Sequence, residues 1–252
     1  MLNQFSRTEL LLGKEAMEIL NKAHIAVFGV GGVGGYTVEA LIRSGIQHID
    51  IIDNDTVSLT NLNRQIIATH STIGKYKVDV MKDRILDINP SAEVNVHKCF
   101  YLPETRDLFD FTKYDYVVDA VDTVTAKINL ILQAKEAGTK IICSMGAGNK
   151  MDPTQFQVAD ISQTTVCPLA RVMRQECKKR KIKNVKVVFS TEKVLRPIEA
   201  IQPEKSSADN RSTVRRDIPG STAFVPSVAG LIIASEIIKD LTGEATARAR
   251  SL

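Results

Sequence analysis

The stretch HIAVFGVGGVGG (24–35) decides the fold class of this 252-residue chain. Its apolar part, 24–28, has the length of a buried strand, and the glycine cluster after it predicts a tight turn into a helix. The glycines match the spacing G-x-G-x-x-G, which lets phosphate groups approach the backbone closely, and the helix start offers free N–H groups to an anion. The residues predicted to line this nucleotide site are Gly29, Gly31, Gly32 and Gly34.

Short apolar runs and longer amphipathic segments alternate between residues 24 and 145. The strands are predicted at 24–28, 49–53, 92–96, 116–122 and 140–145, and the helices after the glycine cluster, at 75–88 and at 126–137. Such alternation is typical of right-handed βαβ units. The predicted fold class is therefore α/β: a Rossmann-like, doubly wound, mostly parallel sheet with a C-terminal extension.

The rest of the chain is less regular. Its predicted elements are a helix at 9–22, strands at 156–161 and 185–190, and a final helix at 225–241. Residues 199–221 are polar and are predicted to form a long mobile loop. We expect one domain over residues 1–243 and a disordered tail over 244–252.

Composition argues against several classes of protein. The chain is 44% apolar with a net charge of +4, as a soluble globular domain would be, and this charge permits an acidic partner without identifying one. Its cysteines form no C-x-x-C pair, so we expect no zinc and a reducing compartment, the cytoplasm. The longest apolar stretch, 223–238, contains Pro226 and Glu236, so no membrane span is expected.

Asp53 lies at the end of the second predicted strand, 19 residues after Gly34. A carboxylate at this position can accept hydrogen bonds from ribose hydroxyls, and by itself the pattern would favour an NAD enzyme. A tight turn without a ligand is the alternative. No G-x-x-x-x-G-K-[ST] motif is present, so the site is not that of a P-loop enzyme.

The run DNDTVSLTNLNRQ (53–65) changes this interpretation, because it places several polar side chains directly after the ribose position. If this run is helical, the side chains of Asn61, Arg64 and Gln65 share one face of the helix. Lys77 adds a cation at the start of the next helix. Hydride transfer has no use for such a cluster, whereas phosphoryl or nucleotidyl transfer needs cations where charge builds on phosphate oxygens. The candidates in the run are Asp55, Asn61, Arg64 and Gln65.

The strand YVVDAVD (116–122) ends in Asp119 and Asp122. A carboxylate at the carboxyl end of a strand is well placed to hold Mg²⁺ beside a triphosphate, so Asp122 is the candidate metal ligand. Taken singly, Arg64 or Lys77 could be solvated and Asp122 could cap a helix. Their order along the chain, each at the expected end of its element, favours the functional interpretation.

Together these residues resemble the superfamily of ubiquitin-activating enzymes and of the adenylyltransferases of molybdopterin and thiamine synthesis. The resemblance covers residues 24–122 and implies that the protein binds ATP. It further implies that Asp53 binds ribose, and that Asp122 organises Mg²⁺. It also implies that Asn61, Arg64 and Lys77 contact the phosphates of ATP.

The segment FSR (5–7) resembles the one in which an arginine of this superfamily crosses to the ATP of a partner subunit. By that resemblance Arg7 is a catalytic residue together with Arg64, Lys77 and Asp122, and the protein is a homodimer. The alternative for Arg7 is an exposed N-terminal arginine.

Two features separate the branches of the superfamily. Carrier-protein adenylyltransferases usually have two C-x-x-C pairs that bind zinc, and this chain has none. Its basic stretch 171–183 and the sequence GSTAFVPSVAGL (220–231) instead resemble the tRNA threonylcarbamoyladenosine dehydratases. That family implies ATP-dependent cyclisation of the threonylcarbamoyl group at position 37 of tRNA, through an acyl adenylate. The alternative is an adenylyltransferase for a ubiquitin-like sulfur-carrier protein, and a sulfur-transfer partner protein stays open.

The densest basic cluster, 171–183, also includes Lys181 and Lys183 and would supply phosphate contacts without reading sequence. A solvated basic helix is the alternative. Arg211, Arg215 and Arg216, in the predicted loop, are candidates to close over the substrate. The candidate RNA contacts within the cluster are Arg171, Arg174, Lys178, Lys179 and Arg180.

Overall fold

The computed structural model describes residues 2–198 and 219–251. Its centre is a seven-stranded sheet in the order β3-β2-β1-β4-β5-β7-β6, in which only β6 runs antiparallel to its neighbour. The predicted α/β class and mostly parallel sheet are therefore confirmed. The strands are β1 His24–Phe28, β2 His48–Ile52, β3 Glu93–His97, β4 Tyr116–Asp119, β5 Lys140–Ser144, β6 Phe156–Asp160 and β7 Lys186–Ser190.

Helices cover both faces of the sheet, because its strands are apolar on both sides. Four helices, α2, α3, α4 and α7, pack through one hydrophobic cluster on the first face, and α5 and α6 pack through a second cluster on the other face. This is the doubly wound arrangement. The helices are α1 Ser6–Leu12, α2 Lys14–Lys22, α3 Gly34–Arg43, α4 Lys77–Ile88, α5 Val124–Ala137, α6 Pro168–Lys179 and α7 Phe224–Arg250.

The two ends of the chain differ from the prediction. The helix predicted at 9–22 is two helices, α1 and α2, separated by Gly13 with φ of 86°. The predicted disordered tail, 244–252, is wrong up to Arg250, because α7 continues to that residue. Ala245 is buried and Arg248 pairs with Glu15 of α2, so the last turns of α7 are stabilised by contacts with the N-terminal helices.

The predicted mobile loop, 199–221, lies outside the described residues except for 219–221. The flanking strand and helix form as predicted, apart from the extension of α7. No helix in the described parts of the chain combines the length and the apolar character that a bilayer crossing needs.

Asp50 is a buried carboxylate in the middle of β2, among strands that are otherwise apolar. It accepts hydrogen bonds at 2.8 Å from Asn95 and from Tyr114, and the Nε2 atoms of His24 and His97 lie 2.8 and 3.0 Å from its oxygens. Although burial opposes ionisation, these partners hold the pKa of Asp50 well below its usual range. The ionised Asp50 thus joins β1, β2 and β3 to Tyr114, which follows the short helical turn Phe111–Lys113. This half of the sheet also carries the largest group of pocket-lining residues predicted from the sequence.

Candidate active site

A pocket of about 680 Å³ opens at the carboxyl ends of β1, β2 and β4. The strand order changes direction between β1 and β4, because β1 pairs with β2 on one side and with β4 on the other. Ligands of open α/β sheets bind at such a switch point. The volume lies within the range of small-molecule and cofactor sites.

The glycine loop forms one wall of the pocket through Gly29, Gly31 and Gly32. Gly29 has φ of 92°, and a Cβ atom there would lie 2.7 Å from the carbonyl oxygen of Ala120, which directly follows β4. A Cβ atom on Gly34 would lie 1.8 Å from the carbonyl oxygen of Gly29. Any side chain at Gly29 or Gly34 would therefore push the loop away from the sheet. Gly34 itself does not line the pocket but begins α3, whose N-terminus faces the loop.

Asp53 follows β2 directly and supports the glycine loop as well as lining the pocket. Its Oδ2 atom accepts a hydrogen bond from the backbone N–H of Val30 at 2.7 Å, and its Oδ1 atom accepts one from that of Asp55 at 2.9 Å. Each carboxylate oxygen retains further acceptor capacity for a ribose hydroxyl. The sequence predicted a ligand contact here but gave no sign of the bond to Val30.

Lys77 is a buried cation at the first position of α4. Its Nζ atom lies 2.7 Å from Oδ2 of Asp55, and its backbone N–H donates to the carbonyl oxygen of Asp55 at 3.0 Å. Asp55 is about half exposed, with 54% of its side chain accessible. Both side chains line the pocket, so the ammonium is held in place by a partner that water still reaches.

Asn61, Arg64 and Gln65 all line the pocket, although no continuous helix forms over 61–65. The segment is one short turn, Leu59–Asn61, after which the N–H groups of Arg64 and Gln65 donate to the carbonyl oxygen of Asn61 at 3.1 and 3.0 Å. Arg64 is partly buried, and this burial lowers the pKa of its guanidinium group. Gln65 is 6% exposed, and its Oε1 atom has no hydrogen-bond partner within the described residues. A buried acceptor without a donor is costly, and a ligand donor would satisfy it.

The predicted strand 116–122 ends at Asp119, so Asp122 lies three residues beyond β4, and the two carboxylates occupy different environments. Asp122 is exposed on the pocket wall, where the hydroxyl of Thr123 lies 3.5 Å from its Oδ1 atom. Asp119 is fully buried, and both of its oxygens lie 3.0 Å from Nζ of Lys127 on α5. Asp119 therefore cannot offer its carboxylate to a ligand in the pocket, and the interpretation of this strand as a source of metal ligands is restricted to Asp122.

Asn149 organises the opposite wall of the pocket, and no motif in the sequence indicates this role. Its N–H donates to the carbonyl oxygen of Gly220 at 2.8 Å, and its Oδ1 atom accepts from the N–H of Gly220 at 2.6 Å. Its own carbonyl oxygen accepts from Leu195 at 2.9 Å. Asn149 adopts φ of 56°, a conformation that asparagine tolerates better than most residues. The joined segments place Gly148, Gly220 and Ser221 on the pocket wall.

Arg7 and the basic cluster lie outside this pocket. Arg7 is exposed on α1, and its role in a partner subunit stays a prediction. Of the candidate RNA contacts, Arg171 and Lys178 are exposed on α6, whereas Arg174 donates to the carbonyl oxygen of Thr164 at 2.7 Å. Lys179 and Arg180 both pair with Glu176. Arg211, Arg215 and Arg216 lie outside the described residues.

The sequence that builds this pocket matches the ThiF family over residues 5–251. The chain belongs to the ThiF family. This ThiF-family chain is 47% identical over 242 residues to a tRNA threonylcarbamoyladenosine dehydratase of Bacillus subtilis (strain 168), covering 96% of this chain and 95% of the relative. The predicted relationship to that enzyme family is confirmed.

Solved structures agree with the sequence match. The crystal structure of Escherichia coli tRNA N6-threonylcarbamoyladenosine dehydratase in complex with ATP superposes with a TM-score of 0.84 at 34% identity, covering 96% of this ThiF-family chain and 95% of the other. In contrast, an adenylyltransferase and sulfurtransferase, MOCS3, of Culex quinquefasciatus is 37% identical over only 126 residues, or 49% of this chain. The similarity to the dehydratases therefore extends over nearly the whole chain, whereas the similarity to this carrier-activating enzyme is limited to about half of it.

Proposed function

We propose that this protein catalyses the ATP-dependent dehydration of N6-threonylcarbamoyladenosine at position 37 of tRNA. The observation that carries the proposal is the pocket at the switch point, where a glycine loop and two partly or fully buried cations, Arg64 and Lys77, face the same cavity. Full-length similarity to dehydratases supports the choice of this substrate within the family. The alternative, activation of a ubiquitin-like sulfur carrier, is supported by relatives that match about half to three fifths of the chain.

The reaction has two steps. First, the carboxylate of the threonylcarbamoyl group attacks the α-phosphate of ATP, and pyrophosphate leaves as the acyl adenylate forms. Second, a nucleophile within the same modified nucleoside attacks the acyl carbon, AMP leaves, and the ring closes with net loss of water. Because the nucleophile is already attached to the substrate, its effective concentration is high and no enzyme thioester is needed.

The residues of the pocket divide the work between binding and charge stabilisation. Gly29, Gly31 and Gly32 let the phosphates approach the backbone, and Asp53 accepts from the ribose. Lys77 and Arg64 neutralise the negative charge that develops on the phosphate oxygens in the transition state. The unpaired Oε1 atom of Gln65 receives a donor from the nucleotide.

Asp122 fits the requirements of a magnesium site. Mg²⁺ in nucleotide enzymes is usually held by one or two carboxylates together with substrate phosphates and water. Asp122 is an exposed carboxylate on the pocket wall, without a salt-bridge partner within the described ranges, so one ligand position is available. When bound, Mg²⁺ would neutralise phosphate charge. Asp122 would orient it.

The test is incubation of the protein with Mg-ATP and tRNA that carries open-chain threonylcarbamoyladenosine, followed by mass spectrometry of the nucleosides under mild conditions. We expect a nucleoside lighter by one water, formed only with ATP and in proportion to AMP. If the nucleoside is unchanged while ATP still binds, the proposal fails. ATP–pyrophosphate exchange that depends on a carrier protein ending in Gly-Gly would then identify the alternative.

We also propose that the protein is a homodimer in which Arg7 completes the ATP site of the partner subunit. Within one chain Arg7 is exposed on α1 and does not line the pocket, so a role at ATP requires a second copy. Inactive Arg7→Ala and Lys77→Met proteins, mixed under conditions that exchange subunits, should regain up to about one quarter of wild-type activity, since random mixing makes half of the dimers mixed and each restores one site. A monomer by sedimentation, or no recovery on mixing, would contradict this assignment.

We place the reaction in the cytoplasm, where the four free cysteines would stay reduced, and cell fractionation tests this location.

A further inference from the structure

A second cavity, of about 750 Å³, lies at the edge of the sheet opposite the ATP pocket. The antiparallel strand β6 ends at Asp160, which pairs with Lys186, the first residue of β7. The cavity opens there, between the end of β6, the last turns of α6 and the connection from α6 to β7. Its basic lining residues are Arg174, Lys178, Lys181 and Lys183.

The turn that carries Lys181 and Lys183 is held in place by its neighbours. Asp160 accepts from the backbone N–H of Val185 at 2.8 Å, and Lys135 of α5 donates to the carbonyl oxygen of Asn184 at 2.8 Å. Lys181 and Asn184 both adopt positive φ, 57° and 56°, so this turn has a defined conformation and is not an extended linker. The cations at the cavity are therefore presented by fixed backbone.

The basic cluster divides into paired and unpaired cations. Lys179 and Arg180 share the single carboxylate of Glu176, at 2.6 and 2.5 Å, so one of their two positive charges is balanced at the end of the helix. Lys178, Lys181 and Lys183, in contrast, have no salt-bridge partner in the part of the chain that the structure describes. Among the described residues that line the cavity, the one carboxylate, Asp160, already accepts from the N–H and hydroxyl of Ser162 and from the N–H of Val185. The cavity thus presents a net positive charge to solvent.

Helix α6 connects this cavity to the ATP pocket. Its N-terminal end contacts Gly146, where a Cβ atom would lie 3.8 Å from Sγ of Cys167, and the next residues, Ala147 and Gly148, line the pocket. Its other end forms the cavity, about 18 Å away at 1.5 Å per residue over 12 residues. A small substrate does not span this distance, whereas a nucleic-acid strand carries a phosphate at every nucleotide and does.

We propose that the second cavity is a phosphate-binding site for the tRNA backbone, with Lys178, Lys181 and Lys183 as its contacts. The inference rests on the proposed function and narrows it, because it assigns RNA binding to the cavity lysines and removes it from Lys179 and Arg180. Lysines at a helix C-terminus can also serve the helix dipole. That explanation covers residues 178–180 and leaves Lys181 and Lys183, which lie beyond α6, unexplained.

The test compares two double variants that each remove two positive charges within five residues of sequence. Lys181→Gln/Lys183→Gln removes cavity lysines, and Lys179→Gln/Arg180→Gln removes cations that pair with Glu176. Affinity for tRNA carrying threonylcarbamoyladenosine is measured at several salt concentrations. The cavity variant should bind tRNA about tenfold more weakly than wild type. The slope of log K against log salt should be smaller in magnitude by about 1.5, as expected for two lost phosphate contacts. The control variant should keep the wild-type slope.

ATP affinity, measured on the same proteins, should be unchanged in both variants, which shows that the ATP pocket is intact. Equal losses of tRNA affinity in the two variants would mean that only net charge matters and would overturn the proposal. So would an unchanged salt slope in the cavity variant, or binding of an acidic protein domain in place of tRNA. Wild-type protein that binds tRNA through these lysines but forms no cyclised nucleoside would refute the proposed function and leave the phosphate site standing.

Discussion

Replacing Lys77 by Met should lower kcat/KM for ATP by about 100- to 1000-fold, the cost of removing one charge-stabilising group from a site of this kind. The ammonium is buried, 2.7 Å from Asp55, and faces the cavity that also receives Arg64. Its loss removes a cation from the phosphates and leaves the carboxylate of Asp55 facing them without compensation. Met has a similar length and fills the buried space, so the fold should be retained. Single-turnover measurement of AMP release, together with a thermal melt, checks both statements.

Lys75→Met is the matched control, because Lys75 is exposed two residues earlier and does not line the pocket. Its kcat/KM should stay within about twofold of wild type, as for a surface charge. The double variant Asp55→Asn/Lys77→Met separates the two origins of the loss. If activity returns with the double variant, Lys77 serves only to neutralise Asp55. If activity stays low, the ammonium acts on the nucleotide itself.

Local pattern was sufficient to predict the framework of the site. The run 24–28, the glycine cluster and Asp53 lie within one βαβ unit, in which hydrophobic period and glycine spacing are short-range signals. The pocket brings together Asp55, Asn61, Arg64, Gln65 and Lys77 because the segments after β2 all return to the same edge of the sheet. The resemblance to a family supplied the chemistry, which the pattern alone did not.

Features that depend on contacts between distant segments were not predictable. No apolar periodicity marks 244–250, although its Ala, Glu and Arg residues favour a helix, and the helix there is stabilised because α7 packs against α1 and α2. Asn149 organises the pocket wall through bonds to Gly220, 71 residues later, and to Leu195. Arg174, in the basic stretch 171–183, donates to the carbonyl oxygen of Thr164 ten residues earlier, a contact that the run of basic residues does not indicate.

Lys127 could not be recognised from the sequence as a structurally important residue, because a single lysine in a predicted helix is usually exposed. The structure buries it completely on α5, with Nζ 3.0 Å from both oxygens of Asp119 and 2.7 Å from the carbonyl oxygen of Ser144. Asp119 in turn accepts from the backbone N–H of Val121 at 3.3 Å, and Val121 lines the pocket beside Asp122. The pair therefore supports the loop that carries the candidate magnesium ligand. Burial raises the pKa of Asp119, and the ammonium of Lys127 opposes that rise.

Lys127→Met should reduce the free energy of unfolding by about 3–5 kcal/mol at pH 7, because it leaves a buried carboxylate without its counter-charge. Lys135→Met on the exposed side of the same helix should cost less than about 1 kcal/mol.

The pH dependence of the loss follows from the pKa of Asp119. In the Lys127→Met variant that pKa rises further above its unfolded value of about 3.9, so the folded state is favoured by protonation. The destabilisation should therefore grow as pH rises above about 4 and be smaller at pH 5 than at pH 7 in urea unfolding. The double variant Asp119→Asn/Lys127→Met, which has no buried charge, should be more stable at pH 7 than the single one. A loss that is the same at both pH values, or a double variant no better than the single, would show that the packing of the Lys127 side chain, and not the buried charge of Asp119, sets the cost.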